Sequence, residues 1–509
     1  MDNIKVYKCF FGLENMWFVL FKFTAHHISS QLFNHMLHRD RKLNKQLPQQ
    51  FMATDHGSTA IKVLEICTVA PPPGSTVPAT LPLTFFDILW FRFPPVERLF
   101  FYKSPVPFHV IVSNLKKSLS LVLQHYLPLA GAIVWPENSP KPAVETAAGD
   151  GIVLTVAESD DDFDHLVGDG LREEAKLQPL VAELAAEEER AAVVAVQVTW
   201  FGNGRFSIGI TSHHAILDGR SSTSFMKSWA GLCKNLVGGG DIFFPAAETM
   251  PFYDRSVVTD NVGLEAIYLE CWLAHEGPNN RSLKFWDVKT PPDLFRGTFK
   301  LSPQDIQKLK QHVLKHRNPV QPPPHISTYT VAMGYTWVCA SAVADEEISI
   351  GVTMDARGRV YPPLPATYFG NCVVGRSTAL ERGKLLGENG VIAAVETISE
   401  MIKSLKEEGP LKGAENWVLL MTQTVVNNDY KLISTAGSPR FEVYSVDFGW
   451  GKPEKVEVVS INRTGAVCIS ESRNGGGVEH GWTARGMLWR ISLSFLLKVF
   501  NNFELACFL

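Results

Sequence analysis

The sequence predicts an α/β protein with more than one core, and three observations carry that prediction. At 509 residues, 45% hydrophobic and 20% charged, the chain has a globular composition and the length for two or three domains. Apolar residues alternate in some stretches and recur at helical spacing in others, so strands and helices interleave. Finally, Gly238-Gly239-Gly240 and the irregular polar text to about Pro292 read as a long crossing connection between two halves.

The first fifty residues differ from the remainder of the chain. His26, His27, His35 and His38 crowd a stretch that passes from aromatic to basic, and it is expected to lie outside the fold. No metal site is assigned to these histidines, or anywhere else. From Ile61 the text becomes regular, with strand-like alternation at Ile61, Val63 and Ile66, a turn at Pro71-Pro72-Pro73-Gly74, and dense apolar sequence over 81–101. Residues 108–112 read as a strand. Leu115, Leu119, Val122, Leu123 and Tyr126 then recur at helical spacing until Pro128.

Acidic residues outnumber basic ones over 145–190, which predicts a solvated face. Residues 193–198 and 206–210 alternate as strands, and Phe225, Met226, Trp229 and Leu232 continue as a helix after a turn at Asp218-Gly219. Beyond the connection, Ser302-Pro303-Gln304-Asp305 resembles a helix start, with a hydroxyl cap, a proline in the first turn and an acid three residues after the cap. It feeds Ile306, Leu309 and Val313. That helix stops near Asn318-Pro319, and Pro322-Pro323-Pro324 forms a stiff loop.

Composition excludes several functions. With 48 Lys plus Arg against 52 Asp plus Glu, the formal charge is -4, so no global field holds a polyanion and nucleic acid is not an expected partner. Eight cysteines fall singly without a C-x-x-C pair, which suits a reducing cytosol better than zinc or a dithiol couple. The apolar stretch 16–23 contains Lys22 and falls short of the roughly 20 residues of a spanning helix. No membrane association and a cytoplasmic location are expected. The triplets Asn280-Arg281-Ser282 and Asn462-Arg463-Thr464 then read as chance glycosylation matches.

The sharpest local feature is Thr211-Ser212-His213-His214-Ala215-Ile216-Leu217-Asp218-Gly219, where an alternating strand yields to a turn and an amphipathic helix. A neutral imidazole there can take a proton from a hydroxyl near pH 7. Spacing alone decides little, because about one H-x-x-x-D match arises by chance in such a chain and the second, His165 to Asp169, sits in the acidic run. His165 reads as a surface residue. His214 is either a base facing a cleft or a satisfied core histidine. His38-Arg39-Asp40 and Asp447-Phe448-Gly449 copy kinase triplets, but Lys45 replaces the metal-binding asparagine and no glycine-rich phosphate loop accompanies them. Serine-hydrolase elbows, P-loops and zincin helices are absent from the text.

His213-His214-Ala215-Ile216-Leu217-Asp218-Gly219 and Asp447-Phe448-Gly449-Trp450-Gly451-Lys452-Pro453 resemble, in order and spacing, the two signature motifs of the plant BAHD acyltransferases. Tyr368-Phe369-Gly370-Asn371-Cys372 resembles a third motif of the branch that acylates anthocyanins and other phenolic glucosides, often with malonyl or hydroxycinnamoyl groups. Leu83-Thr84-Phe85-Phe86-Asp87, Leu127-Pro128-Leu129-Ala130-Gly131, Tyr253-Asp254-Arg255-Ser256 and Ala436-Gly437-Ser438-Pro439-Arg440-Phe441 agree.

The resemblance covers about residues 61–481. It implies an α/β fold of two chloramphenicol acetyltransferase-like domains, each a mixed sheet with flanking helices. Residues 52–237 would form the first, 238–292 the crossover and 293–509 the second, with 1–51 an extension before a start near Met52. A channel between the domains would admit acyl-CoA from one face and a phenolic glycoside from the other. No permanently bound cofactor and a monomer are expected.

The same resemblance implies the residue roles. His214 would be the general base, with no acyl-enzyme, and Cys372 a packed residue. Asp218 would shape the site through an arginine, for which Arg357 is the candidate. Gly219 would permit a tight turn. Arg220 would pair with a malonyl carboxylate or a CoA phosphate, or else stand as a helix-start arginine facing water; Ser327 and Thr328 would contact CoA, and Ser438 would line the oxyanion region. Asp447, Phe448, Gly449, Trp450 and Gly451 are structural.

The carboxyl end departs from the family pattern. Where an apolar strand is expected, the chain reads His480-Gly481-Trp482-Thr483-Ala484-Arg485-Gly486, and the apolar stretch 487–500 comes next, with Leu488, Ile491, Phe495 and Val499 at helical spacing. A missing strand would cost the second sheet an edge. The alternatives kept open are the same chemistry on an amine or a non-glycosylated alcohol, and a non-catalytic relative that only binds ligand.

Overall fold

A computed structural model describes residues 61–75, 80–239, 250–317, 325–344, 347–426 and 432–485. The expected extension 1–51, the start near Met52, the Pro322-Pro323-Pro324 loop and the stretch 487–500 lie outside the described residues.

The described residues open with strand β1 (Lys62–Val69) and continue to a single helical turn, α1 (Phe85–Ile88), capped by Thr84 in a capping box with Asp87. Strand β2 (Val96–Lys103) leads to helix α2 (Phe108–Leu123). Residues 108–112, expected as a strand, form the first turn of this helix. A five-residue apolar run cannot distinguish the two periods. Over sixteen residues the buried set Ile111, Val112, Leu115, Leu119 and Val122 is plainly helical.

Strands β3 (Ile152–Glu158), β4 (Arg172–Glu173), β5 (Val194–Trp200) and β6 (Arg205–Ser212) come next, and helix α3 (Gly219–Val237) completes this part. The crossing connection is not irregular throughout. It contains helix α4 (Leu264–Ala274), whose Tyr268 and Trp272 are fully buried. Trp272 Nε1 donates to the Ile88 carbonyl and Tyr268 Oη to the Ala414 carbonyl, which pins the connection to both halves.

The second half begins with β7 (Leu294–Leu301) and α5 (Pro303–His316), which starts at the expected capping box of Ser302 and Asp305. Helix α6 (Thr328–Val343), strands β8 (Ser349–Asp355) and β9 (Val373–Thr378), and helix α7 (Gly390–Glu407) continue it. The chain then forms β10 (Leu432–Ile433), β11 (Thr435–Ala436), β12 (Lys455–Val458), β13 (Val467–Glu471) and β14 (Val478–Arg485). No helix among the described residues is long and apolar enough to cross a membrane.

One mixed sheet has the order β1-β3-β5-β6-β2-β12 and another β11-β13-β14-β7-β4. Each half therefore contributes a strand to the sheet of the other. Strand β12 pairs antiparallel with β2, and β4 with β7. The acidic run that was expected to face solvent takes part in this exchange. Glu174 is 3% exposed and accepts from Arg296, while Arg172 Nη1 donates to Glu457 at 2.6 Å and Arg296 Nη1 to the other oxygen of Glu457 at 3.0 Å. Burial alone would raise the Glu457 carboxyl, but Arg172, Lys455 and Arg296 hold it well below the usual carboxylate range.

The strand that looked absent at the carboxyl end is β14, and it is internal, paired with β7 and β13. Its polar residues disguised it. Glu479 is buried against the Tyr444 hydroxyl and near Lys455, and Gly481 lies against the Cys468 side chain.

The larger core packs α2 and α3 onto the first sheet through Leu115, Leu119, Phe225, Trp229, Phe100 and Tyr102, all fully buried. Each such side chain contributes about 1.5–3 kcal/mol from the area removed from water. A second core joins α5, α6 and α7 to β7, β8 and β13. The His214 turn lies at the end of β6, within reach of both halves.

Candidate active site

Strand β6 ends at Ser212, and the turn after it delivers the chain to Asp218, the N-cap of α3. Asp218 Oδ1 accepts from the Ser221 amide at 2.8 Å. Oδ2 accepts from Arg357 Nη1 at 2.8 Å and from the Cys372 amide at 3.1 Å. Both oxygens are thus occupied by donors other than the imidazole. The pair is buried, and Arg357 also donates to the carbonyls of Tyr368 and Gly370. Through these bonds the Tyr368–Cys372 motif of the second half is fastened beneath the start of α3.

The two histidines differ. His213 is fully buried, and its Nδ1 accepts from the Ala215 amide at 3.2 Å. His214 remains partly exposed, its ring stacked on Trp90 at 4.1 Å and 9° and met edge-on by Phe93 at 5.3 Å. Burial against these aromatic rings drives His214 down to about 4, partly opposed by its own backbone, Asp218 and Asn371. Burial, with His214 beside it, drives His213 down to about 3. Both are uncharged at pH 7.

His480 on β14, buried and with no hydrogen-bond partner for Nε2 among the described residues, is also lowered by burial, to about 4. These three groups predict how stability depends on pH. An unfolded chain protonates histidine near its ordinary value of about 6.5, so the unfolded state binds more protons as pH falls from there toward 4. The stability they confer is complete above about pH 6.5 and declines below it by about 1.4 kcal/mol per pH unit for each histidine. Scanning calorimetry should find Tm level from pH 7 to 8 and falling steeply between 6.5 and 5. A level Tm down to pH 5 contradicts the buried neutral state.

The structure gathers some of the other candidates and separates the rest. Arg220 is not free: its Nη1 donates to Asp355 at 2.7 Å, and Asp355 also pairs with Arg357. Gly219 is the first helical residue of α3, not a tight-turn residue as expected. Its lack of a side chain matters because a Cβ would stand 2.6 Å from the Phe441 ring. Phe441 thereby brings the Ser438 loop against the start of α3, where the Ser438 hydroxyl accepts from the Arg440 amide.

Ser327 and Thr328 are elsewhere, at the start of α6. Ser327 caps that helix, and Thr328 Oγ1 accepts from Lys310 at 3.2 Å. Asp447 Oδ1 accepts from the amides of Gly449 and Gly451, both at positive φ, and Oδ2 pairs with Lys234 of α3. Phe448 packs edge-on to Trp229, and Trp450 edge-on to Phe206. Cys372 is fully buried, and burial pushes its thiol well above the usual range, which leaves it un-ionised and not nucleophilic.

Four contributors went unremarked in the sequence. Trp90 and Phe93 were part of an undifferentiated apolar stretch. Asp87 and Asn371 stood inside quoted motifs, but nothing in one dimension indicated that they meet.

The Transferase family model matches residues 61–500. The chain belongs to the BAHD acyltransferase family. It is 38% identical over 477 residues to phenolic glucoside malonyltransferase 1 of Arabidopsis thaliana, covering 89% of this chain and 100% of that one. It is also 38% identical to malonyl-CoA:anthocyanidin 5-O-glucoside-6''-O-malonyltransferase of the same plant, over 83% of this chain and 95% of the relative. Among solved structures, vinorine synthase superposes with a TM-score of 0.62 at 19% identity, covering 86% of this chain and 98% of its own. As a BAHD acyltransferase the protein is an enzyme, and its α/β architecture is the one these neighbours share.

Proposed function

We propose that this BAHD enzyme moves a malonyl or hydroxycinnamoyl group from acyl-CoA to a hydroxyl of a phenolic or flavonoid glycoside, with His214 as general base. The observation that carries the reading is the uncharged imidazole of His214, a partly exposed residue just after the end of β6, beside a sealed neighbour, His213. Such a ring takes the proton of a hydroxyl brought within hydrogen-bond reach. The acceptor oxygen forms its bond to the thioester carbonyl carbon, and collapse of the resulting oxyanion breaks the C–S bond. The imidazolium returns the proton to the departing thiolate, giving ester and free CoA. No acyl-enzyme and no permanently bound cofactor enter this scheme.

The other assignments belong to the same proposal. Asp218 acts through Arg357 to hold the turn. Arg220, its side chain 45% exposed, takes the free carboxylate of a malonyl group in exchange for Asp355. The Ser438 loop, held near α3 by Phe441, lines the oxyanion region, and Ser327 and Thr328 contact CoA. The Asp447–Gly451 loop is structural. Residues 52–237 and 293–509 act as two domains joined by 238–292, in a cytoplasmic monomer. The malonyl donor is favoured by the names of the two plant relatives.

The test is release of free thiol from malonyl-CoA and p-coumaroyl-CoA in the presence of phenolic and flavonoid glucosides, with the products weighed by mass spectrometry. Acceptor-dependent release and a glucoside heavier by one acyl group are expected. Folded protein that binds acyl-CoA but releases no thiol with any acceptor would be a binding relative, and the proposal would fail.

A further inference from the structure

The deepest polar contact of the His214 turn comes from a residue to which no role has been given. Asn371 is fully buried, and its Nδ2 donates to the main-chain carbonyl of His214 at 2.8 Å and to Asp87 Oδ1 at 3.1 Å. These two acceptors fix the orientation of the amide, because Oδ1 in that position would face oxygen on both sides. Asp87 is equally buried and rigid. Its Oδ1 also accepts from the Asn371 amide at 2.9 Å, and its Oδ2 accepts from the Thr84 amide and hydroxyl at 3.0 and 2.8 Å. The Arg255 guanidinium stands 3.9 Å from Oδ2.

The amide therefore presents Oδ1 in one fixed direction. Asn371 Oδ1 and His214 Nδ1 are both buried, and neither has a hydrogen-bond partner within ordinary distance among the described residues. An acceptor and a ring nitrogen are thus left over on residues already bonded to each other. While Nδ1 is a bare acceptor the two leftover groups cannot bond, whereas a proton on Nδ1 makes a donor that can close on Asn371 Oδ1 beside the carbonyl that Nδ2 holds. Both the amide and that carbonyl also favour the protonated ring electrostatically.

We propose that Asn371, locked by Asp87, is a positioning residue that keeps the proton of His214 on Nδ1 and so leaves the Nε2 lone pair as the base. Its catalytic consequence rests on the acyl-transfer reading, but the tautomer itself does not. A ring bearing its proton on Nε2 has no lone pair to offer a hydroxyl on that side, and rotation to recover one is blocked by the stack on Trp90.

The tautomer is read directly from ring-nitrogen shifts of the full chain labelled with 15N-histidine, the His214 signals being assigned by their loss in His214→Gln. At pH 7.5 the wild type should show a pyrrole-type Nδ1 and a pyridine-type Nε2, and Asn371→Ala should move both toward the averaged values of mixed tautomers. In turnover, Asn371→Ala should lower kcat by about 10²-fold, the order expected for a misplaced catalytic group, with KM for malonyl-CoA within threefold of wild type.

A wild-type Nε2–H tautomer, or unchanged shifts in Asn371→Ala, overturns the proposal. Raised KM at unchanged kcat also overturns it. Should Asn371→Ala not fold, the wild-type spectrum still decides, and Asn371→Ser supplies a smaller perturbation for the kinetics. A wild type inactive with every acyl-CoA counts against the transfer reading, while the spectrum continues to judge the tautomer.

Discussion

Replacement of His214 by alanine lowers kcat for acyl transfer by about 10²–10⁴-fold, the contribution expected of a positioned general base, and leaves KM for acyl-CoA within a few-fold of wild type. The residue is partly exposed, its ring stacked on Trp90 and met edge-on by Phe93, so its removal costs less stability than that of a fully enclosed side chain. The neighbouring residue supplies the contrast. His213 is fully enclosed and tied to the Ala215 amide, so His213→Ala destabilises the fold without a specific loss of kcat in the enzyme that remains folded. Steady-state thiol release and thermal melts on both variants separate the two roles. A His214→Ala enzyme within tenfold of wild-type kcat would remove the imidazole from the mechanism.

The second large effect is on stability. Arg357→Met removes the guanidinium that pairs with Asp218 at 2.8 Å and with Asp355 at 2.9 Å and that donates to the carbonyls of Tyr368 and Gly370. Methionine fills much of the volume but leaves the Asp218 carboxylate, 1% exposed, without its cation. Breaking a buried pair in this way costs about 3–5 kcal/mol, read as a shift of the urea midpoint at constant m. Asp218→Asn with Arg357→Met should cost less than the sum of the single changes, because the pair is removed together. Additive costs would mean that the two groups are not coupled.

The parts of this molecule that were legible in one dimension were local. The capping box at Ser302 and Asp305 is deducible from hydroxyl, proline and carboxylate spacing alone, and the helix after Asp218 from its apolar period. The motif from His213 to Gly219 marked the candidate site because its residues lie within one turn, and the Asp447–Gly451 motif marked a structural loop. The features that escaped were created by pairing across the chain. Residues 108–112 look extended until the next ten residues are counted with them. Glu174 and Glu479 look solvated until Arg296, Lys455 and Tyr444 arrive from distant segments. Asn371 and Asp87 are 284 residues apart in sequence, and only folding shows that one holds the other. Buried charge is invisible to a hydrophobic pattern, because the pattern records the residue and not its partner.

The exchange of β4 and β12 has a temporal consequence. The peptide groups of β2 that face β12 find their partners only when residues 455–458 have left the ribosome. Until then the nascent amino-terminal sheet presents an open, hydrogen-bond-hungry rim, the kind of surface on which polypeptides coalesce. Residues 455–458 must thus be synthesised before the first sheet is closed on that side. The enzyme should depend on chaperone shelter during translation, and a ribosome that stalls before residue 455 releases a chain that cannot finish its first sheet.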